Sequence, residues 1–180
     1  ADKAYSLRFS GVLQSDLRAF FNDELKPGTN ELLLRRARFQ VDPSLGNRLK
    51  LRFQTELAGA SAAIVDAYAD LKLGAGFSAR FGRFKTPLGL ERWRSDPDRD
   101  LVELGFSSSL VTDRDQGVLL EWADSDGIAS LSGGVVNGGI DGSAPSGDSE
   151  DDKDGIGKLF LHPFRFFDLP ELRQIGVGWA

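Results

Sequence analysis

The sequence contains no cysteine and only one histidine, His162, among its 180 residues. Disulfides and thiolate metal sites are therefore excluded, and one histidine argues against a zinc site built from imidazoles. No Ser–His–acid set can be assembled around that histidine, and acidic pairs such as Asp98 and Asp100 have no partner motif. The sequence therefore predicts neither an enzyme nor a cofactor or metal site.

Long apolar runs are also absent, since no stretch approaches the roughly 18 residues of a transmembrane helix. The net charge of −5 argues against general nucleic-acid binding. Residues 141–155 contain six acids and one base, so their net charge of −5 equals that of the whole chain and the remainder is neutral. We interpret residues 137–155 as a long acidic loop.

What the sequence does contain is alternation of apolar and polar residues. In one stretch Leu49, Leu51 and Phe53 alternate with Lys50 and Arg52, and this period of two is typical of a strand with two different environments. The pattern indicates an all-β antiparallel meander of about nine strands, at residues 7–19, 33–41, 49–57, 65–73, 77–81, 117–122, 128–136, 157–162 and 175–180. Residues 168–174 are compatible with one helical turn.

Two architectures fit such strands. In a soluble β-sandwich binding module the apolar face packs in a core, whereas in an outer-membrane barrel it faces lipid and the polar face lines a lumen. Short and long connections tend to alternate along the chain, as they do between the two ends of a transmembrane barrel. This favours the barrel, and the soluble binding module remains the alternative.

Seven stretches resemble, in family order and over nearly the whole chain, the phosphate-selective porins O and P of Gram-negative outer membranes. The most specific is the block "GRFKTPLGLE" at residues 82–91. The stretches are "LQSDLRAF" (13–20), "LLLRRARFQV" (32–41), "LKLRFQTEL" (49–57), "VDAYADLKL" (65–73), "ARFGRFKTPLGLERWRS" (79–95), "RDQGVLLEW" (114–122) and "LSGGVVNG" (131–138).

This resemblance implies a sixteen-stranded antiparallel transmembrane barrel, a homotrimer in contact with outer-membrane lipid and lipopolysaccharide. It implies passive diffusion of small solutes with a mild preference for anions, including phosphate. At about twenty residues per strand and connection, residues 1–180 would form a single, incomplete domain of about half that barrel. The acidic loop at residues 137–155 would be extracellular.

The resemblance also assigns a role to the charged segment "GRFKTPLGLERWRSDPDRDL" at residues 82–101. In the family, the loop after the fifth strand folds into the lumen and narrows it. Residues 85–112 would be this constriction loop, and its bases Lys85, Arg92 and Arg94 would lie close to passing ions, where low-dielectric walls strengthen each charge.

The family's phosphate-site residues are matched only in part. Its adjacent arginines on the second strand correspond to Arg35 and Arg36, and the fourth-strand acid to Asp66. The constriction-loop base corresponds to Arg92. Two family bases are replaced, by Val12 and Leu104, so the resemblance implies weak or absent phosphate specificity.

Alternation places bases and acids on one polar face, which is either an anion-attracting wall or a charge-balanced wall with pairs such as Arg36 with Asp66. Strict alternation would put Arg35 towards lipid, at a cost, which predicts a position near a rim or beside a bulge. The bases are Arg8, Arg18, Arg36, Arg38, Lys50, Arg52, Lys72 and Arg80, and the acids are Asp16, Glu56, Asp66 and Asp70. The candidate pore-lining and anion-binding residues are Arg35, Arg36, Arg38, Arg52, Asp66, Arg80, Lys85, Arg92 and Arg94.

Overall fold

The computed structural model describes residues 4–21, 29–89, 91, 105–106, 112–138, 152–167 and 170–180. Nine strands form one sheet, which confirms the predicted all-β meander. The strands are β1 (Tyr5–Arg18), β2 (Glu31–Leu45), β3 (Leu49–Glu56), β4 (Ala63–Gly74), β5 (Phe77–Lys85), β6 (Arg114–Ala123), β7 (Ala129–Val136), β8 (Asp154–Leu161) and β9 (Val177–Trp179).

Each strand pairs antiparallel with the next, from β1 at one edge to β9 at the other. One end of the sheet carries the short turns at 46–48, 75–76 and 124–128, and we call it the short-turn end. The opposite end carries the connections 19–30, 57–62, 86–113 and 137–153, and we call it the long-loop end. The connection from β8 to β9, at the short-turn end, contains two 3-10 helices, Pro163–Phe166 and Pro170–Leu172.

β2 extends further than its sequence indicates. Residues 42–47 look like a turn because they contain Pro43 and a glycine, yet the strand continues to Leu45. Pro43 stays paired with Leu7 of β1, and the register between β2 and β3 is interrupted beside it. Proline cannot donate a hydrogen bond, so the cost falls on one neighbour only and the strand survives.

One face of the sheet exposes large apolar side chains and the other buries polar ones, which is the reverse of the pattern in a soluble protein. On the face we call apolar, Leu13 and Leu17 are 79% and 78% exposed, whereas Gln54 and Asp66 on the polar face are 8% and 6% exposed. A soluble sheet covers its apolar face with another layer, because that burial is the main stabilising term. Here the large apolar side chains point outwards along the sheet, from Tyr5 to Trp179.

A small apolar cluster lies on the polar face. Phe84, Leu119 and Val136 are almost completely buried, and Tyr68 packs against them. Tyr68 lies directly opposite Gly82, so a glycine leaves room beside the aromatic ring, as in the aromatic–glycine pairs used in designed sheets. In the described part of the chain no helix is both long and apolar enough to cross a membrane.

Candidate functional site

The adjacent arginines of β2 both reach the polar face because of a β-bulge. The register shifts between Gln14 and Ser15, and Arg35 is the extra residue on β2. Arg35 forms an ion pair of 2.9 Å with Asp16, and Arg36 donates a hydrogen bond of 2.5 Å to Gln14. A bulge turns successive residues towards the same face, so Arg35 lies beside a bulge as predicted.

Two further arginines of the polar face are paired with carboxylates on neighbouring strands. Arg38 lies 2.8 Å from Glu56, and Arg52 lies 2.7 Å from Asp42. Gln40 donates a second hydrogen bond to Asp42, at 2.6 Å. These pairs are partly exposed, so each contributes about 1 kcal/mol or less to stability. Their main effect is to cancel charge along the wall.

Arg80 lies between two acids and beside an aromatic ring. Its guanidinium is 2.8 Å from Asp70 and 3.0 Å from Glu121, and its central carbon is 4.8 Å from the ring centroid of Tyr68. Arg52 approaches the same ring at 5.8 Å. The phenol ring is therefore flanked by two cations, an arrangement that favours planar guanidinium groups.

Asp66 is the most buried carboxylate among the sequence-predicted residues, at 6% exposed. It accepts a hydrogen bond of 2.8 Å from Arg114 of β6, which also pairs with Asp113. Arg36, the partner considered from the sequence, instead contacts Gln14. The pairing could not be found by alternation because it joins β4 to the first residue of β6.

Four residues that contact the predicted site residues on the polar face were not predicted from the sequence. They are Asp42, Tyr68, Arg114 and Glu121. Asp42 lies in the segment that resembles a turn, and Tyr68 has no charge to draw attention to it. Glu121 occupies an alternating position in the sixth predicted strand, which could have identified it. Arg114 precedes that strand as predicted, and its role depends on contacts far away in the sequence.

Some bases on the polar face lack such partners. In the described ranges Arg8, Lys50 and Lys72 form no side-chain ion pair or hydrogen bond, and all three are exposed. Arg8 is opposite Asp42, Lys50 is opposite Ser44, and Lys72 is opposite Ser78. On its other side Lys50 is opposite Asp70 of β4. All three bases lie towards the short-turn end, so the described bases of the polar face that have no direct ion pair are concentrated there.

The connection after β5 begins by crossing the polar face. Thr86 and Pro87 are almost fully buried, and the amide of Thr86 donates to the carbonyl of Asp113 at 2.9 Å. Pro87 and Gly89 line a cavity of about 190 Å³ together with residues of β8 and β9, including Phe160. The chain therefore passes across the wall from β5 towards the far edge of the sheet.

The structure describes one of the three bases predicted for the constriction loop. Lys85 is the last residue of β5 and is paired with Arg114 in the register. Arg92 and Arg94 lie outside the described residues, as do Leu104 and most of segments 85–112 and 137–155. The described residues contain no cluster of three or more potential metal-ligating side chains.

Comparison with known proteins gives one family. The family model described as "Phosphate-selective porin O and P" matches residues 8–161. This range contains all of β2 to β8 and β1 from Arg8 onwards. A search of curated proteins finds no match.

Proposed function

The chain belongs to the phosphate-selective porin O and P family and is an outer-membrane porin, and from this premise we propose that it lets small solutes diffuse passively with a mild preference for anions. The mechanism needs no chemical step. Solutes would move along the polar face, which would line the lumen, while the apolar face contacts lipid.

The observation that carries this proposal is the inverted burial of the sheet. Leu13 and Leu17 are largely exposed while Gln54 and Asp66 are buried. In water, such a surface would be strongly unfavourable, whereas in a bilayer the same apolar side chains contact hydrocarbon. The soluble β-sandwich alternative would need a second layer over this face, and the single described sheet does not supply one.

The mild anion preference is supported by the arrangement of charges. The ion pairs of Arg35, Arg38, Arg52 and Arg80 cancel much of the charge of the wall. The exposed bases without partners, such as Lys50, leave a modest positive excess, which raises the local concentration of anions. A fully unpaired arginine track would give a much stronger preference.

We propose that the connection after β5 narrows the lumen. Support comes from its described beginning, where Pro87 and Gly89 line a cavity together with Lys158 and Phe160 of β8. Within this proposal Lys85, Arg92 and Arg94 contribute charge near the narrowing. The pore-lining roles of Arg36, Arg38 and Asp66 belong to the same proposal.

Assembly is proposed from the family. Backbone N–H and C=O groups find no hydrogen-bond partner in lipid. In the family's sixteen-stranded barrel, neighbouring strands would therefore pair with the outer edges of β1 and β9. We propose a homotrimer whose outward surface contacts lipid and lipopolysaccharide. The exposed apolar side chains of β1, including Leu13 and Leu17, support the contact with lipid.

The first test is the reversal potential of the protein in a planar bilayer under a potassium chloride gradient, repeated with added phosphate. We expect the sign of the reversal potential to show that chloride permeates faster than potassium, because exposed bases without a direct ion pair lie on the polar face. We also expect added phosphate to block the current only weakly. Cation selectivity would contradict the proposed preference. Failure to form channels would contradict the pore function itself.

Phosphate affinity should increase when a base is restored at position 12. Val12 lies on the polar face opposite Arg38, so Val12→Lys places an ammonium group beside a guanidinium. One charge-assisted contact is expected to strengthen phosphate block by about tenfold, measured from single-channel currents.

Ser10→Lys is the matched control, because Ser10 shares the strand and the face but lies opposite Gln40. An equal gain in both variants would mean that added charge alone, and not position 12, controls phosphate binding.

A further inference from the structure

An open cavity of about 350 Å³ lies on the polar face towards the short-turn end of β1–β4. Its lining includes Arg8 from β1, Asp42 from β2, Lys50 and Arg52 from β3, and Tyr68 from β4. Thr86 and Pro87, which are described residues at the start of the connection after β5, do not line this cavity. Cross-strand register, rather than any local motif, brings its side chains together.

The carboxylates at this cavity are already engaged. Asp42 accepts from Arg52 at 2.7 Å and from Gln40 at 2.6 Å, and Asp70 is paired with Arg80 at 2.8 Å. A ligand that enters the cavity therefore meets two acids whose charge is compensated by neighbouring guanidinium groups.

Two bases at the same cavity are not engaged. Arg8 and Lys50 are exposed and have no side-chain partner within the part of the chain that the structure describes. Arg8 is on β1 and Lys50 is on β3, with β2 between them. Lys50 is level with Ser44 of β2 and Ser6 of β1, which is two residues from Arg8 along the strand. Adjacent strands are about 4.8 Å apart and residues on one face are about 6.6 Å apart, which places their backbones about 10–12 Å from each other.

This spacing favours a ligand with two separated negative groups. A guanidinium binds a carboxylate through two parallel hydrogen bonds, and an ammonium acts as a point charge. One anionic centre would engage one base well and leave the other at a distance, whereas two centres on a short carbon chain can engage both. The ring of Tyr68 adds an apolar surface beside that chain.

The size of the cavity also favours a ligand with two negative groups. A volume of about 350 Å³ is enough for an anion that carries a short carbon chain between two charged groups. We propose that this cavity is a binding subsite for small organic dianions of the dicarboxylate class as they pass through the pore. The inference rests on the proposed pore function.

The test is block of single-channel current by succinate, with acetate and inorganic phosphate as comparison anions, in bilayers containing the full protein. We expect succinate to bind the unmodified protein more tightly than either comparison anion. Arg8→Gln and Lys50→Gln should each weaken succinate binding by roughly tenfold, because each removes one charge-assisted contact. Acetate binding should change much less.

Arg48→Gln provides the matched control. Arg48 is an exposed base in the neighbouring turn 46–48 and does not line the cavity, so its loss lowers the local positive charge without removing a contact. Equal weakening in all three variants, or phosphate binding as tightly as succinate, would overturn the subsite. Conducting channels with no succinate block would overturn it and leave the pore intact, whereas absence of channels would contradict the pore function.

Discussion

Leu13→Arg is expected to lower the free energy of unfolding by about 2–4 kcal/mol, whereas Val12→Arg should change it by less than about 1 kcal/mol. The two positions are neighbours on β1 but lie on opposite faces, Leu13 being 79% exposed on the apolar face and Val12 opposite Arg38 on the polar face. An arginine that faces hydrocarbon must leave water or distort the bilayer. One that faces a wet lumen stays hydrated.

The measurement is urea-induced unfolding in lipid vesicles, followed by the fluorescence of the three tryptophans. The contrast between the two variants separates lipid exposure from the general effect of an added arginine. If Val12→Arg proved the more damaging, the assignment of the apolar face to lipid would be wrong. Equal and small effects would point instead to a sheet whose two faces both meet water.

Gly82→Ala should destabilise the protein by roughly 3 kcal/mol, since it combines backbone strain with steric overlap. Gly82 has a φ of 119°, a conformation that glycine alone adopts readily. A Cβ at this position would overlap the carbonyl oxygen of Ala67 and approach the backbone of Tyr68. The substitution would therefore push β5 away from β4 at the place where Tyr68 meets the apolar cluster.

Gly133→Ala is the control for this prediction. Its backbone φ is not positive, and the nearest atom to a new Cβ would be the carbonyl oxygen of Ile156 at 3.9 Å. Both variants are compared by the same urea titration, and Gly133→Ala is expected to stay within about 0.5 kcal/mol of the unmodified protein. A similar loss in both would mean that alanine at any strand glycine is harmful and that the strain at Gly82 has no special part.

Sequence reasoning anticipated most of the strands and the chemistry of their faces. Alternation such as Leu49-Lys50-Leu51-Arg52 needs only the period of a strand, which is a local property. The residues at which strands end were harder to predict from the sequence. Pro43 and the glycine after it resemble a turn, and only the pairing of β2 with β1 shows that the strand continues.

The site was anticipated in its residue types but not in its pairing. Arg80 was placed on the polar face, yet its contacts with Asp70 and Glu121 depend on the register of β5 with both neighbours. Asp66 meets Arg114 across 48 positions of the chain. Contacts of this range are set by tertiary structure, since no local pattern specifies which strand end lies near which.

Period-two alternation predicts an amphipathic β meander, and the block at 82–91 carries the resemblance to the porin O and P family, because both can be recognised along one chain. The distribution of charge over the polar face, in contrast, depends on the tertiary structure. The bulge brings Arg35 to Asp16, the register neutralises Arg52 and Arg80, and Arg8 and Lys50 stay exposed beside one cavity. The physical reason is that ion pairing acts over a few ångströms between strands that are far apart in the sequence.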